Sequence, residues 1–184
     1  MTTRFLASAV ASLLIAAFSP QLRAETVAYP AADPLFTLEV PDGWAVRNEP
    51  DGPLMLQNGD ATIVAVFDSR VTGVTDLATA TEAVQMQKTK TAKQTGYTDL
   101  KVITSVREMQ LNEEINGVGG HYSAKLPGGQ PVIYIVMIFT PDGARYCSME
   151  FSIKPDGLLP AAEKERDAML ASIKPFAADA ADDQ

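Results

Sequence analysis

Eight successive apolar residues, Val132-Ile133-Tyr134-Ile135-Val136-Met137-Ile138-Phe139, restrict what this chain can fold into more than any other feature. A strand with one wet face alternates apolar and polar residues, so an unbroken run of this length fits a strand covered on both faces. Pro141-Asp142-Gly143 follows at once, and beyond it Cys147, Met149, Phe151 and Ile153 alternate with Tyr146, Ser148, Glu150 and Ser152. The two segments read as an antiparallel hairpin at the centre of a sheet, with the Cys147 set on its apolar side.

The same Pro-Asp-Gly triplet stands at Pro41, Pro50, Pro141 and Pro155. Pro presets φ, Asp suits the next turn position and Gly relieves crowding at the end, so the triplet turns the chain wherever it occurs. Its copies sit at different kinds of junction, which makes it punctuation. A calcium loop needs carboxylates at alternate positions, and no stretch supplies them.

The other patterns mix α and β. Phe36, Leu38 and Val40 alternate with Thr37 and Glu39, which predicts a strand that turns at Pro41 toward Trp44-Ala45-Val46. Leu54 to Gln57 and Ala61 to Phe67 flank Asn58-Gly59-Asp60, a hairpin signal. A helix is predicted from Thr75 or Asp76 to Thr95, with Gly96 as its stop and Leu77, Ala80 and Val84 on its apolar side. Lys88, Lys90 and Lys93 crowd its second half, where cations complement the helix macrodipole.

Leu100 to Leu111 reads as a long strand, with a second hairpin at Asn116-Gly117. Gly120, Tyr122, Ala124 and Leu126 then face the core. Pro160 opens a last helix, with Ala162, Met169, Leu170 and Ile173 inward and Glu163, Lys164, Glu165 and Asp167 outward.

The first 24 residues place Arg4 before an apolar run from Phe5 to Phe18 and end in Ser19-Pro20-Gln21-Leu22-Arg23-Ala24, the order of a secretory signal peptide cut after Ala24. The run is too short to anchor the chain across a bilayer, and no Cys precedes Cys147 to carry a lipid. A soluble periplasmic or secreted protein without a stable membrane anchor is expected. Loss of the leader removes Arg4 and Arg23 and no acid, which takes the formal charge from −8 to −10. An acidic domain is a poor nucleic-acid binder. Residues 25–33 read as a lead-in, 34–176 as one domain, and the acidic tail 177–184 as disordered, because it lacks apolar periodicity and repels itself.

Candidate chemistry is sparse. His121 and Cys147 are the sole residues of their kinds, and the alternation places Cys147 on the apolar face of its strand and His121 on the polar face of another, which argues against a Cys-His dyad. Ser123 shares a strand face with His121, but no G-x-S-x-G elbow surrounds it. Glu113 and Glu114 stand beside a turn, where carboxylates are solvated rather than tuned for acid and base work. The supply of His and Cys is too small for a usual zinc site, and Gly117, Gly119 and Gly120 lie between strands with no helix start to receive a phosphate. No catalytic, cofactor or metal residue is assigned.

Three segments carry a family resemblance. FTLEVPDGWAV (36–46) resembles the N-terminal signature of the PsbP-like family, INGVGGHY (115–122) the hairpin after its long strand, and AMLASIKPF (168–176) its closing helix. The resemblance spans residues 34 to 176 and implies an α+β fold, an antiparallel sheet sandwiched between helices in an α/β/α arrangement. The family includes an extrinsic photosystem subunit, a nuclear import factor that binds the Ran GTPase, and bacterial envelope proteins similar to the DcrB lipoprotein. It thus implies a non-catalytic binding or assembly domain whose partner is another envelope protein. The alternative is a small-ligand carrier or hydrolytic enzyme whose site no motif marks. The matching motifs are turn and core positions, so the resemblance carries over no functional residue, and Trp44 among them reads as a packing anchor.

Overall fold

The computed structural model describes residues 25–176; the leader and the acidic tail lie outside the described residues. The elements run β1 (Glu25–Tyr29), β2 (Phe36–Val40), β3 (Ala45–Asn48), β4 (Leu54–Gln57), β5 (Ile63–Asp68), α1 (Leu77–Thr95), β6 (Thr98–Gln110), β7 (Asn116–Lys125), β8 (Pro131–Phe139), β9 (Cys147–Ile153), a 3₁₀ turn (Pro155–Leu158), α2 (Pro160–Ala171) and β10 (Lys174–Pro175). A seven-stranded antiparallel sheet has the order β3-β4-β5-β9-β8-β7-β6, and a three-stranded sheet has the order β1-β2-β10. The hairpin read from the apolar run is the middle of the large sheet: Phe139 pairs with Cys147 and Ile133 with Ile153.

Each face of the large sheet has its own core. Tyr122, Tyr134, Val136 and Ile138 pack under Ala80, Ala83 and Val84 of α1. On the opposite face, Phe67, Phe139, Phe151 and Cys147 pack with Phe36 and Leu38 of the small sheet and with Met169 and Ile173. Of the expected sandwich, the large antiparallel sheet is seen with α1 on one face, and its other face carries the small sheet together with Met169 of α2. FTLEV was legible as a strand, but its sheet is chosen by β1 and β10, which flank it on both edges.

Several local expectations hold in detail. Asp76 caps α1 by accepting from the Thr79 amide at 2.9 Å, and Gly96 ends it in the left-handed region at φ 72°. Leu77, assigned to the apolar side, is instead 50% exposed, because the helix buries its Ala80–Val84 turn and its first residue overhangs the sheet. The turn copies differ in geometry as their junctions do. Gly43 and Gly143 adopt φ of 77° and 75°, whereas Gly157 is packed so that a Cβ would come within 2.8 Å of the Thr62 carbonyl.

The Asn116-Gly117 hairpin is corrected too. Asn116 and Gly117 already belong to β7, opposite Gln110 and Met109. The turn lies earlier, at Leu111 to Ile115, where Asn112 Oδ1 accepts from the Glu114 and Ile115 amides at 3.0 Å each. Gly117 is needed instead for close packing against the Ile138 carbonyl and the Met137 side chain.

Candidate functional site

The structure separates the residues that the sequence singled out. Cys147 is fully buried, and burial pushes its thiol well above the ordinary range. Register corrects the argument about His121: the rows Phe151–Ile135–His121 and Cys147–Phe139–Gly117 put both residues on the same side of the sheet. Distance is what keeps them apart. Four residues along and two strands across amount to roughly 16 Å at about 3.3 Å per residue and about 4.8 Å per strand. Ser123 makes no hydrogen bond to His121, and Glu113 and Glu114 are exposed in the Asn112 turn. Of the helix lysines, Lys88 lies 5.2 Å over the Tyr122 ring, while Lys90 lines a hollow on the β5 side of α1 with Asp68 and Arg70.

A cleft of about 360 Å³ separates α2 from the large sheet. Its origin is in how α2 is tied down. Trp44 Nε1 donates to Glu165 at 3.1 Å, Ser172 Oγ accepts from the Glu39 amide at 2.8 Å, and Asn112 Nδ2 donates to the Ile173 carbonyl at 2.8 Å. Met169 and Ile173 thereby seat on the core shared with the small sheet, and α2 stands off from β7 and β8. Ile133, Ile135, Met137, Met149, Phe151 and Ile153 form the floor of the cleft. Ile133 and Ile135 remain half-buried although their strand is central, while Val132, Tyr134 and Val136 on the other face are buried.

Polar groups gather on the β7 side of this floor. His121 lines the cleft, as do Glu163, Arg166 and Asp167 of α2. Arg107 is paired with Gly119, two residues from His121 on the same strand face. Burial, then the Arg107 and Arg166 cations, hold the His121 imidazole below its usual value. Arg166 donates to Asp167 at 2.8 Å and stands 4.0 Å from Glu163; Arg107 forms no ion pair among the described residues.

Sequence reading missed a second polar cluster, under α1. Glu150 is 9% exposed and Ser148 3%, although both were placed on the polar side of β9. The correction is physical: β9 is the middle strand, covered on both faces, so Ser148 and Glu150 are buried under α1 and Ser152 partly so. Glu150 accepts from Gln87 of α1 and from the Tyr134 hydroxyl. Tyr97 and Ser152 share a hydroxyl hydrogen bond of 2.6 Å, and the Tyr97 ring meets Tyr134 edge-on at 5.5 Å. A carboxylate in C-S-M-E-F-S-I beside an unbroken apolar strand was the available signal.

One edge of the large sheet is β6, the other β3. Register shifts break its pairing with β7 between Thr98 and Lys101, Val102 and Thr104, and Thr104 and Arg107. In this irregular stretch Val102 and Ile103 are 60% and 54% exposed. Among the described residues no group of three or more His, Cys, Asp or Glu is placed to hold a metal ion, and no helix is long and apolar enough to cross a membrane.

These elements define an α+β domain with a large antiparallel sheet and two helices, the Mog1/PsbP-like fold. The chain is similar to cyanobacterial PsbP from Synechocystis sp., with 13% identity and a TM-score of 0.53 over 92% of this chain and 98% of that one. It is similar to a point mutant of the protein Mog1, with 14% identity and a TM-score of 0.50 over 85% of this chain and 98% of that one. The Ran-binding protein Mog1p of Saccharomyces cerevisiae matches with 16% identity and a TM-score of 0.49 over 84% of this chain and 96% of that one. No family model and no curated protein matches the sequence.

Proposed function

We propose that this chain is an exported, non-catalytic binding or assembly domain of the cell envelope that works through protein–protein contacts at the β6 edge. The observation that carries this reading is the pair Val102 and Ile103, large aliphatic residues consecutive in sequence and exposed on the edge strand β6. Covering a Val or Ile side chain is worth about 1.5–3 kcal/mol, so the pair is a standing contribution to association. An uncovered aliphatic edge is also what soluble proteins ordinarily avoid. The irregular pairing around it disfavours simple strand addition along the whole edge and favours side-chain contact with a partner's apolar surface. The distance of Cys147 from His121 and the lack of a hydrogen bond between His121 and Ser123 support a non-catalytic role, as does the family resemblance of the sequence, and the leader-like N-terminus supports export.

The test is site-specific photo-crosslinking in intact cells. A photoreactive residue at Ile103 should capture a discrete envelope protein that the same residue at Gln94, exposed on α1, does not. Val102→Lys introduced beside it should abolish the product. Identical products from both positions, or none from Ile103, would remove the reading.

A further inference from the structure

We propose that residues 158–168, the entry to α2 and its first turns, form a strap that opens by local unfolding between two fixed ends and uncovers the apolar floor of the cleft while the rest of the domain stays folded. The strap is the chain's own cover of that floor, and its opening does not depend on the reading given above for the β6 edge.

The two ends are held where the middle is not. At the entry, Gly157 is buried against the Thr62 carbonyl, which also accepts from the Lys154 amide at 2.8 Å. At the exit, Met169 and Ile173 are buried, Asn112 Nδ2 donates to the Ile173 carbonyl at 2.8 Å and Ser172 Oγ accepts from the Glu39 amide at 2.8 Å. Between these ends none of residues 158–168 is buried. Among the described residues, the one side-chain hydrogen bond from this stretch to another element is Trp44 Nε1 to Glu165, at 3.1 Å.

The contrast with α1 shows why this helix is the one to open. α1 has 19 residues and a capping box at Asp76, buries Ala80, Ala83 and Val84, and packs on β6, β7 and β8. α2 has 12 residues and no side-chain cap at its N-terminus, and the elements it packs on closely are β2 and the 3₁₀ turn. A helix of about 12 residues is marginal in water without tertiary packing. Opening also leaves the successive charged residues Glu163, Lys164, Glu165, Arg166 and Asp167 in water, where they are well solvated.

The cleft itself lowers what opening costs. Leu158, Glu163, Arg166 and Asp167 form one wall and Ile133, Ile135, Met149 and Phe151 the floor, with about 360 Å³ between them. Across such a gap the helix forgoes the dispersion contacts that a seated helix would make. Little packing is therefore lost when it lifts, and the opening free energy falls below that of global unfolding.

The test is amide hydrogen exchange of the purified exported protein at neutral pH and low urea. Amides of residues 163–168 should exchange about tenfold or more faster than those of residues 80–84 in α1, with one shared opening constant and little urea dependence, because a small unit exposes little surface. Glu165→Ala should speed exchange of 163–168 by about threefold or more and leave 80–84 unchanged; Ala favours helix, so the rise measures the lost hydrogen bond. Met149→Cys places a thiol in the floor, with buried Cys147 as an internal measure of global opening. The introduced thiol should be labelled in the folded protein about tenfold or more faster than Cys147, and Glu165→Ala should accelerate that labelling alone.

Exchange of 163–168 less than tenfold faster than that of 80–84 overturns the proposal. So does a graded rise toward one end of the helix, which is fraying, or the urea dependence of global unfolding. Labelling of the introduced thiol that Glu165→Ala leaves unchanged overturns the uncovering of the floor. If circular dichroism shows that Met149→Cys does not fold, exchange in the unaltered protein and in Glu165→Ala decides alone.

Discussion

Tyr134 and Tyr122 allow the buried network under α1 to be tested by removing one oxygen atom at a time. They are directly paired across β8 and β7, both fully or almost fully buried, with ring centroids 6.3 Å apart. Their hydroxyls have opposite fates. Tyr134 donates to the buried Glu150 carboxylate, whereas the Tyr122 oxygen is buried without a hydrogen-bond partner in the protein. Tyr134→Phe removes a hydrogen bond to a carboxylate, worth about 1.5–3 kcal/mol. At about 2–4 °C per kcal/mol for a domain of this size, Tm should fall by about 3–12 °C.

Tyr122→Phe removes a hydroxyl that loses water on folding and gains nothing from protein, so its Tm should be unchanged or raised. Calorimetric melts of the two variants, with urea titration as a second measure, decide the matter. An equal loss in both would show that ring packing and not the Glu150 contact sets the effect; no loss in Tyr134→Phe would refute the contact itself. Combining Tyr134→Phe with Glu150→Leu should cost less than the sum of the single changes, because it removes donor and acceptor together.

Cys147 should react slowly with a thiol reagent in the native protein and fully in denaturant, and Cys147→Ala should be tolerated far better than Cys147→Asp, since an unpaired core carboxylate is strongly destabilising; rapid native labelling would contradict the register. Burial first of all holds the hydroxyls of Tyr29, Tyr97, Tyr122 and Tyr134 above the ordinary value of 10.0. The folded state thus favours the neutral phenol, so this stability is fully present below pH 10.0 and is lost as pH rises toward the folded values. Phenolate absorbance should then appear together with loss of circular dichroism; full ionisation of a still-folded protein would refute it. N-terminal sequencing of the form recovered from the soluble periplasmic fraction should begin at or near Glu25, and an intact Met1 would sink the proposed export.

Much of the architecture was legible in residue order. The apolar run from Val132 to Phe139 and the alternation after Pro141 announced the central hairpin, and Asp76 and Gly96 marked the limits of α1 within a residue or two. These signals are local: periodicity, capping and turn chemistry depend on residues a few positions apart, so sequence by itself determined the central elements and their order, but it missed β1, read as a lead-in, and β10, read as part of the closing helix segment.

What the elements pack against is decided by partners far away in the chain. The small sheet exists because β1 and β10 pair with β2 from opposite ends of the described residues. Glu150 is buried because α1 closes over the middle strand, and His121 and Arg166 line one cleft because Trp44, Glu39 and Asn112 tie α2 down beside the sheet. Alternation within a strand assigns two faces but cannot tell that both are covered. Burial is a property of what lies above each face, and tertiary structure alone supplies that layer, and with it the cleft.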